Sequence, residues 1–240
     1  MAQPRSALLA IVPALNEEAT VADVVKAIVA DLDADVVVID DGSRDRTSEV
    51  ATASGAVVMR HPFNLGVGAA LRTGFRYAVR SGYEVVVQVD GDGQHDTAAA
   101  NLLVDAVTTG GADLAVGTRF GADYRVSRVR RFSMRVLSRM VSRRIGTTVS
   151  DTTSGFRAFS SDAVSRFAVS YPTQYLSDTV EALLLAHDQG LKVVEVPVRM
   201  RERMGGQASS GRAKSVYHLV RLGLVVTLHR YRRPPAGVAP

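Results

Sequence analysis

Residues 84–96 read EVVVQVDGDGQHD. Val85, Val86, Val87 and Val89 make an almost unbroken β-branched run, the pattern of a strand covered on both faces. The run ends in two carboxylates one glycine apart, Asp90 and Asp92. Working outward, the same arrangement of an apolar run and a polar end recurs. Ala7–Val12 leads into Asn16-Glu17, Val36–Ile39 into Asp40-Asp41-Gly42-Ser43, and Ala56–Met59 into the stretch from His61 to Gly68. A fifth run lies at Asp113–Val116, and helical patterns fill the intervals at Ala19–Leu32, Arg44–Ala53, Gly68–Arg80 and Thr97–Thr109. Strands alternating with helices predict right-handed crossovers and an α/β fold with a mostly parallel central sheet flanked by helices. In such a sheet a ligand sits beyond the carboxyl ends of the strands. The polar ends are therefore where chemistry is expected.

From about Arg128 the pattern changes. A long Arg-rich helix is followed by a polar turn at Ser150–Gly155, a helix near Ser177–His187, a strand at Lys192–Val198, a Gly/Ser-rich loop at Gly205–Gly211 and a last helix at Lys214–Tyr231. We expect one domain over 1–232, in two halves that meet at about 118–119, and a disordered tail at 233–240.

The chain has 240 residues and no Cys, which excludes disulfides, thiolate metal sites and thiol nucleophiles. MAQPRSALLAIVP lacks the regions of a secretory signal, so a cytoplasmic protein is expected. The longest apolar patch, Leu219 to Leu228, contains Arg221 and Thr227 and is about half the roughly 20 residues a spanning helix needs. Charge is divided unevenly: residues 1–118 carry net −8 and residues 119–240 net +13. Between Arg119 and Arg144 nine Arg face one acid, Asp123. A solvated helix face is one reading of that run. Nucleic acid is not expected, because only Tyr124 and Phe132 are at hand for stacking. A phosphate-bearing ligand or an anionic membrane surface fits better.

Asp90 and Asp92, two apart in extended backbone, point the same way. Converging carboxylates repel unless a cation lies between them. Hard oxygen ligands without Cys favour Mg²⁺ or Mn²⁺, the remaining positions going to water and a ligand's phosphate oxygens. A pair of acids in a Gly-rich turn is the alternative. Asp40 and Asp41 exceed what one helix cap needs, Ser43 or Asp45 being sufficient for that, and can accept hydrogen bonds from a base or ribose. In HPFNLGVGAALRTGF, Gly66 and Gly68 would let backbone N–H groups approach an anion, and Arg72, a turn into that helix, would suit a phosphate or pyrophosphate. His61 and His95 flank the same region.

Taken in order and spacing, IVPALNEE, VVVIDDGSRDRT, NLGVGAALRTGF, VDGDGQHD, VGTRF and DTTSGFRAF resemble the family-2 inverting glycosyltransferases over roughly residues 7–200. The subgroup resembled is that of dolichol-phosphate mannosyltransferase and related polyprenyl-phosphate glycosyltransferases. The resemblance implies the A-type glycosyltransferase fold, a Rossmann-like nucleotide half joined to an acceptor half. It implies that Pro13, Asn16 and Glu17 line the nucleotide pocket, that Asp41 meets the base, and that Asp90 and Asp92 hold the cation on the diphosphate beside Gln94. Acceptor-phosphate residues would be Arg119 with Arg130 or Arg131, together with Ser154 and Arg157. Asp151, Ser154, Gly155, Phe156 and Arg157 match the D-x-x-S-G-F-R motif near the transferred sugar. The donor implied is GDP-mannose or UDP-glucose, the acceptor a polyprenyl or dolichyl phosphate, and the place the cytoplasmic membrane face.

Asp92, Arg119, Arg131, Asp151 and Asp178 are the expected catalytic residues. Family members with hydroxyl acceptors carry a carboxylate base, often in a Glu-Asp pair; here Ser177-Asp178 stands in that place. A phosphate monoester, with a second pKa near ~6, has less need of a base. Many relatives have C-terminal transmembrane helices that this sequence lacks, so membrane contact would be peripheral or through a membrane-anchored protein. The last helix reads as interfacial or as docked on the fold's own sheet, the latter being the commoner cause of such a stripe. RMGGQASSG resembles the basic loop that closes over the diphosphate, a linker being the alternative. A hydroxyl-acceptor transferase, with Asp178 or Asp151 as base, and a catalytically silent binding module are the competing readings.

Overall fold

The computed structural model describes residues 6–119, 128–173, 178–198 and 226–227, without the side chains of 119 and 128–133. Strand β1 (Leu8–Ala14) is buried along its whole length. Leu9 and Ile11 enter one core while Leu8, Ala10 and Val12 enter another, because successive side chains point to opposite faces. β2 (Asp35–Asp40) repeats this, with Val37 and Ile39 in the first core and Val36 and Val38 in the second. A sheet with two apolar faces has to be covered twice. Helices α1 (Val21–Leu32), α2 (Thr47–Ala53) and α4 (Ala100–Thr108) pack on one side; α3 (Val67–Ser81), α5 (Arg128–Ile145), α6 (Ser161–Ser170) and α7 (Asp178–Asp188) pack on the other.

The remaining strands are β3 (Val57–Arg60), β4 (Val85–Gln88), β5 (Leu114–Arg119), β6 (Arg157–Ser160) and β7 (Val193–Val198). Their order is β3-β2-β1-β4-β6-β5-β7. All neighbours run parallel except β6, which is antiparallel to both β4 and β5. The expected strands at Ala7–Val12, Val36–Ile39, Ala56–Met59, Glu84–Val89, Asp113–Val116 and Lys192–Val198 are present with ends shifted by at most three residues. Helix α2 begins at Thr47 rather than Arg44, and Thr97–Ala99 is a 3-10 turn ahead of α4.

Two elements were not anticipated. β6 and α6 occupy 157–170, where the sequence pattern gave only a turn followed by a later helix. Phe159 of β6, Phe167 of α6 and Tyr171 close around Phe75 of α3, with Phe75–Phe159 centroids 4.9 Å apart and nearly edge-on. That aromatic cluster anchors β6 inside the sheet. It also places Arg157 opposite Gln88 of β4, two residues before Asp90. The Gly205–Gly211 loop, most of the last helix and the 233–240 tail lie outside the described residues. Among the described residues no helix is long and apolar enough to cross a membrane.

Candidate active site

The loops after β1 and β2 are knitted together by reciprocal bonds. Asn16 N–H donates to Ser43 Oγ (2.9 Å) and Asn16 Oδ1 accepts from Arg44 N–H (2.8 Å). Glu17 N–H donates to Thr47 Oγ1 (2.9 Å), and Arg46 N–H to Glu18 Oε2 (2.9 Å). Asn16 adopts φ 57°, a left-handed conformation that Asn tolerates. Asp40 is fully buried beneath this seam, accepting from Ser43 N–H (2.7 Å) and the Ser48 hydroxyl, with Arg60 Nε at 3.6 Å. Burial opposes its charge, yet the bonds from Ser43 and Ser48 prevail and hold its pKa below the usual carboxylate value.

Asp41 braces the next loop. Its Oδ1 accepts from Leu65 N–H (2.9 Å) and lies 2.7 Å from His61 Nδ1, and its Oδ2 accepts from Gly66 N–H (2.7 Å). His61 Nε2 is in turn 2.9 Å from Thr73 Oγ1 on α3. Gly42, at φ 82°, allows the crossing: a Cβ there would lie 2.6 Å from the Phe63 carbonyl carbon.

The braced loops open a cleft of about 340 Å³ at the carboxyl ends of β1, β2 and β4, lined by Pro13, Glu17, Asp41, Gly66, Asp90 and Asp92 among others. Gly91 packs under Pro13, and Thr20 Oγ1 donates to the Gly91 carbonyl (2.7 Å). Asp90 is partly exposed to the cleft. Its Oδ1 accepts from Gln88 Nε2 (3.2 Å), its N–H donates to His95 Nδ1 (3.1 Å), and His95 Nε2 stands 3.6 Å from Oδ2. His95 is stacked on Phe156 at 4.5 Å, so it supports Asp90 from beneath. Asp92 accepts from Gln94 N–H (3.1 Å) and Gln94 Nε2 (2.6 Å). Gly155 packs against the Asp90 carboxylate: a Cβ there would lie 3.0 and 3.2 Å from its two oxygens.

No group of three or more His, Cys, Asp or Glu able to hold a metal occurs among the described residues. Two carboxylates in an open cleft suit a hard cation that keeps water and ligand oxygens, as Mg²⁺ and Mn²⁺ do. The donor set fits such an ion at Asp90 and Asp92.

Of the expected site residues, Pro13, Glu17, Asp41, Asp90 and Asp92 are brought to one cleft. Others are placed elsewhere. Asp40 and Asn16 hold loops together, as described. Arg72 does not face the cleft: its Nε reaches the Ala168 carbonyl of α6 (3.5 Å), as does Arg76 Nε at 3.0 Å, because that face of α3 packs on α6. Asp151 accepts from Thr153 N–H (3.0 Å) within its own turn. Ser154 is buried, and Arg157 is fully buried with Nε on the Ser154 carbonyl (2.9 Å), so neither reaches a surface where an acceptor phosphate could dock. The side chains of Arg119, Arg130 and Arg131 lie outside the described residues.

Asp178, at the start of α7, is buried, and its pKa is pushed up to about 6. Burial is the main cause; the Arg157 guanidinium pulls the other way and the Asp90 charge adds to the rise. Gln88, Thr20 and Tyr171 were not picked out from the sequence. Gln88 alone had a signal, as the one polar residue within a valine strand. A larger cavity of about 560 Å³, lined by Thr118, Ser150, Glu195 and Pro197 among others, contains none of the acids of the cleft.

A sheet of this order and covering has a counterpart among solved structures. Glucosyl-3-phosphoglycerate synthase from Mycobacterium tuberculosis, solved with Mn²⁺, UDP and glucosyl-3-phosphoglycerate, superposes with a TM-score of 0.72 at 25% identity, covering 97% of this chain and 82% of that one. The fold is the A-type glycosyltransferase fold. More particularly, the chain belongs to glycosyl transferase family 2, which matches residues 9–167. It is 31% identical to polyprenol monophosphomannose synthase of Mycolicibacterium smegmatis, over 87% of this chain and 83% of that protein. It is 29% identical to undecaprenyl-phosphate mannosyltransferase of Micrococcus luteus, over 80% and 83%.

Proposed function

We propose that this glycosyltransferase moves a hexose, mannose or glucose, from a nucleoside-diphosphate sugar to a polyprenyl monophosphate with inversion at the anomeric carbon and with a divalent cation. The observation that carries this reading is the convergence of Asp90 and Asp92 with the Asp41-braced loop and the Gly66 end of α3 in one cleft. A diphosphate suits that cleft, since its charge would meet the cation held by Asp90 and Asp92. Asp90 and Asp92 would hold Mg²⁺ or Mn²⁺, which when bound offsets the charge that builds on the leaving nucleoside diphosphate. Gln88, His95 and Gly155 keep the Asp90 carboxylate in place.

The acceptor assignment follows the relatives named above and the charge of the second half. A phosphate monoester is largely ionised at neutral pH, so Arg119, with Arg130 or Arg131, would receive an anionic nucleophile and a strong base is unnecessary. The exposed Arg135, Arg139 and Arg143 of α5 would rest on anionic headgroups at the cytoplasmic membrane face, directly or beside a membrane-anchored protein. A hydroxyl acceptor is the second reading, favoured by the buried Asp178, whose pKa near 6 suits a general base. The test uses radiolabelled GDP-mannose and UDP-glucose with Mg²⁺ and detergent-solubilised polyprenyl phosphate. Label extracted into organic solvent is the expected result, and no lipid product with either donor would defeat the proposal.

A further inference from the structure

Arg157 is the bulkiest of the fully buried side chains among the described residues. Its guanidinium ties two separate backbone segments together. Nε–H donates to the Ser154 carbonyl (2.9 Å), in the turn whose Gly155 leans on the Asp90 carboxylate, and Nη2–H donates to the Thr179 carbonyl (3.0 Å), in the first turn of α7 beside Asp178. The same guanidinium meets the buried Tyr171 side chain. Apolar residues of similar volume commonly replace buried charges without loss of stability. Fold stability alone does not account for an arginine here.

The two segments it joins do: one carries Gly155 against the Asp90 carboxylate and the other opens α7 at Asp178. We propose that Arg157 is a positioning residue for the transfer step: by joining the turn beneath Asp90 to the start of α7 it fixes Asp178 relative to the Asp90 carboxylate. This rests on the transferase reading above. The sugar must pass between a leaving oxygen held on the Asp90 side and an incoming acceptor oxygen, and a misplacement of about 1 Å at such a centre costs ~100-fold in rate.

Arg157→Lys keeps the charge and loses the fork. It should lower kcat by roughly 10- to 100-fold while Mn²⁺-dependent affinity for the nucleoside diphosphate, read by calorimetry, stays within about twofold of wild type. Asp178→Asn should also lower kcat, and Arg157→Lys in that background should bring no further loss, as residues acting through one another are non-additive. Multiplying losses, a fully active Asp178→Asn, or nucleotide affinity falling in step with kcat would overturn the inference. If Arg157→Lys fails to fold, Arg157→Gln/Asp178→Asn, which removes both buried charges, provides the same comparison with Asp178→Asn. Hydrogen exchange separates this test from the functional reading. A wild-type chain that binds nucleotide and Mn²⁺ but glycosylates no acceptor defeats that reading. Faster exchange at the start of α7 in Arg157→Lys, with β1 and β4 unchanged, still supports the positioning role, and unchanged exchange there overturns it.

Discussion

At the scale of single residues, two positions test the site most sharply. Gly155 has no side chain because the Asp90 carboxylate occupies the space a Cβ would need. Gly155→Ala should therefore displace Asp90 by a few tenths of an ångström and weaken Mn²⁺-dependent nucleotide binding roughly tenfold, about 1.4 kcal/mol, with little change in Tm. Calorimetry beside a thermal melt checks both. Asp178 gives a pH signature. Its folded pKa of about 6 exceeds the ordinary 3.8, so between these values the native state holds a proton that the unfolded chain has lost. Stability should fall by up to about 3 kcal/mol as pH rises from ~4 to ~6 and then level off. Asp178→Asn should melt higher than wild type at pH 7, a difference that vanishes near pH 4, while activity that needs the ionised carboxylate rises toward a plateau above pH ~6. That Asp90 and Asp92 share a cleft was legible because two acids one glycine apart directly follow a buried strand. Arg157 was not, since its role depends on a strand the sequence does not announce.

At the scale of elements, that strand shows why. RAFS is four residues long and begins with a charge, too short for period-two alternation to stand out. What holds it is tertiary: Phe159 meets Phe75 and Phe167. A local signal for α6 did exist, because Ser160 Oγ accepts from Ala163 N–H (3.2 Å) as an N-cap ahead of Asp162. Helix α3, by contrast, was read nearly to its ends, and its glycines show which force sets its sequence. Ala is favoured over Gly in a helix by about 1 kcal/mol. At Gly74 a Cβ would lie 2.6 Å from Ile11 Cγ2, and at Gly68 2.2 Å from the Pro172 carbonyl. Overpacking costs typically about 1–3 kcal/mol, so packing wins over propensity. Gly74→Ala should lower stability by about 1 kcal/mol in urea titration and leave kcat unchanged. Gly68→Ala should also lower kcat, because Pro172 and Thr173 lead toward Asp178.

At the scale of the molecule, the α/β class and the acidic cleft followed from the alternation of apolar runs and polar ends, whereas the join between the halves did not. β6, from the second half of the chain, lies between β4 and β5 of the first, so both halves contribute strands to one continuous sheet, on which α5 packs. The acids of the cleft and the exposed arginines of α5 then belong to one fold, and the separate tasks proposed for them should respond to different perturbations. Chelation with EDTA should abolish transfer and Mn²⁺ should restore it, while binding to anionic vesicles is unchanged. Raising salt from ~0.1 to ~0.5 M shortens the screening length to less than half. A basic residue near an anionic surface contributes about 1 kcal/mol, so screening Arg135, Arg139 and Arg143 alone should weaken vesicle binding at least tenfold. Nucleotide binding, which depends on close coordination by Asp90 and Asp92, should weaken far less. Co-sedimentation with phosphatidylglycerol vesicles, run beside nucleotide calorimetry at both salt concentrations, measures the two responses. If EDTA released the vesicles, or if salt acted equally on both kinds of binding, the assignment of the acids to the donor and the arginines to the membrane side would be wrong.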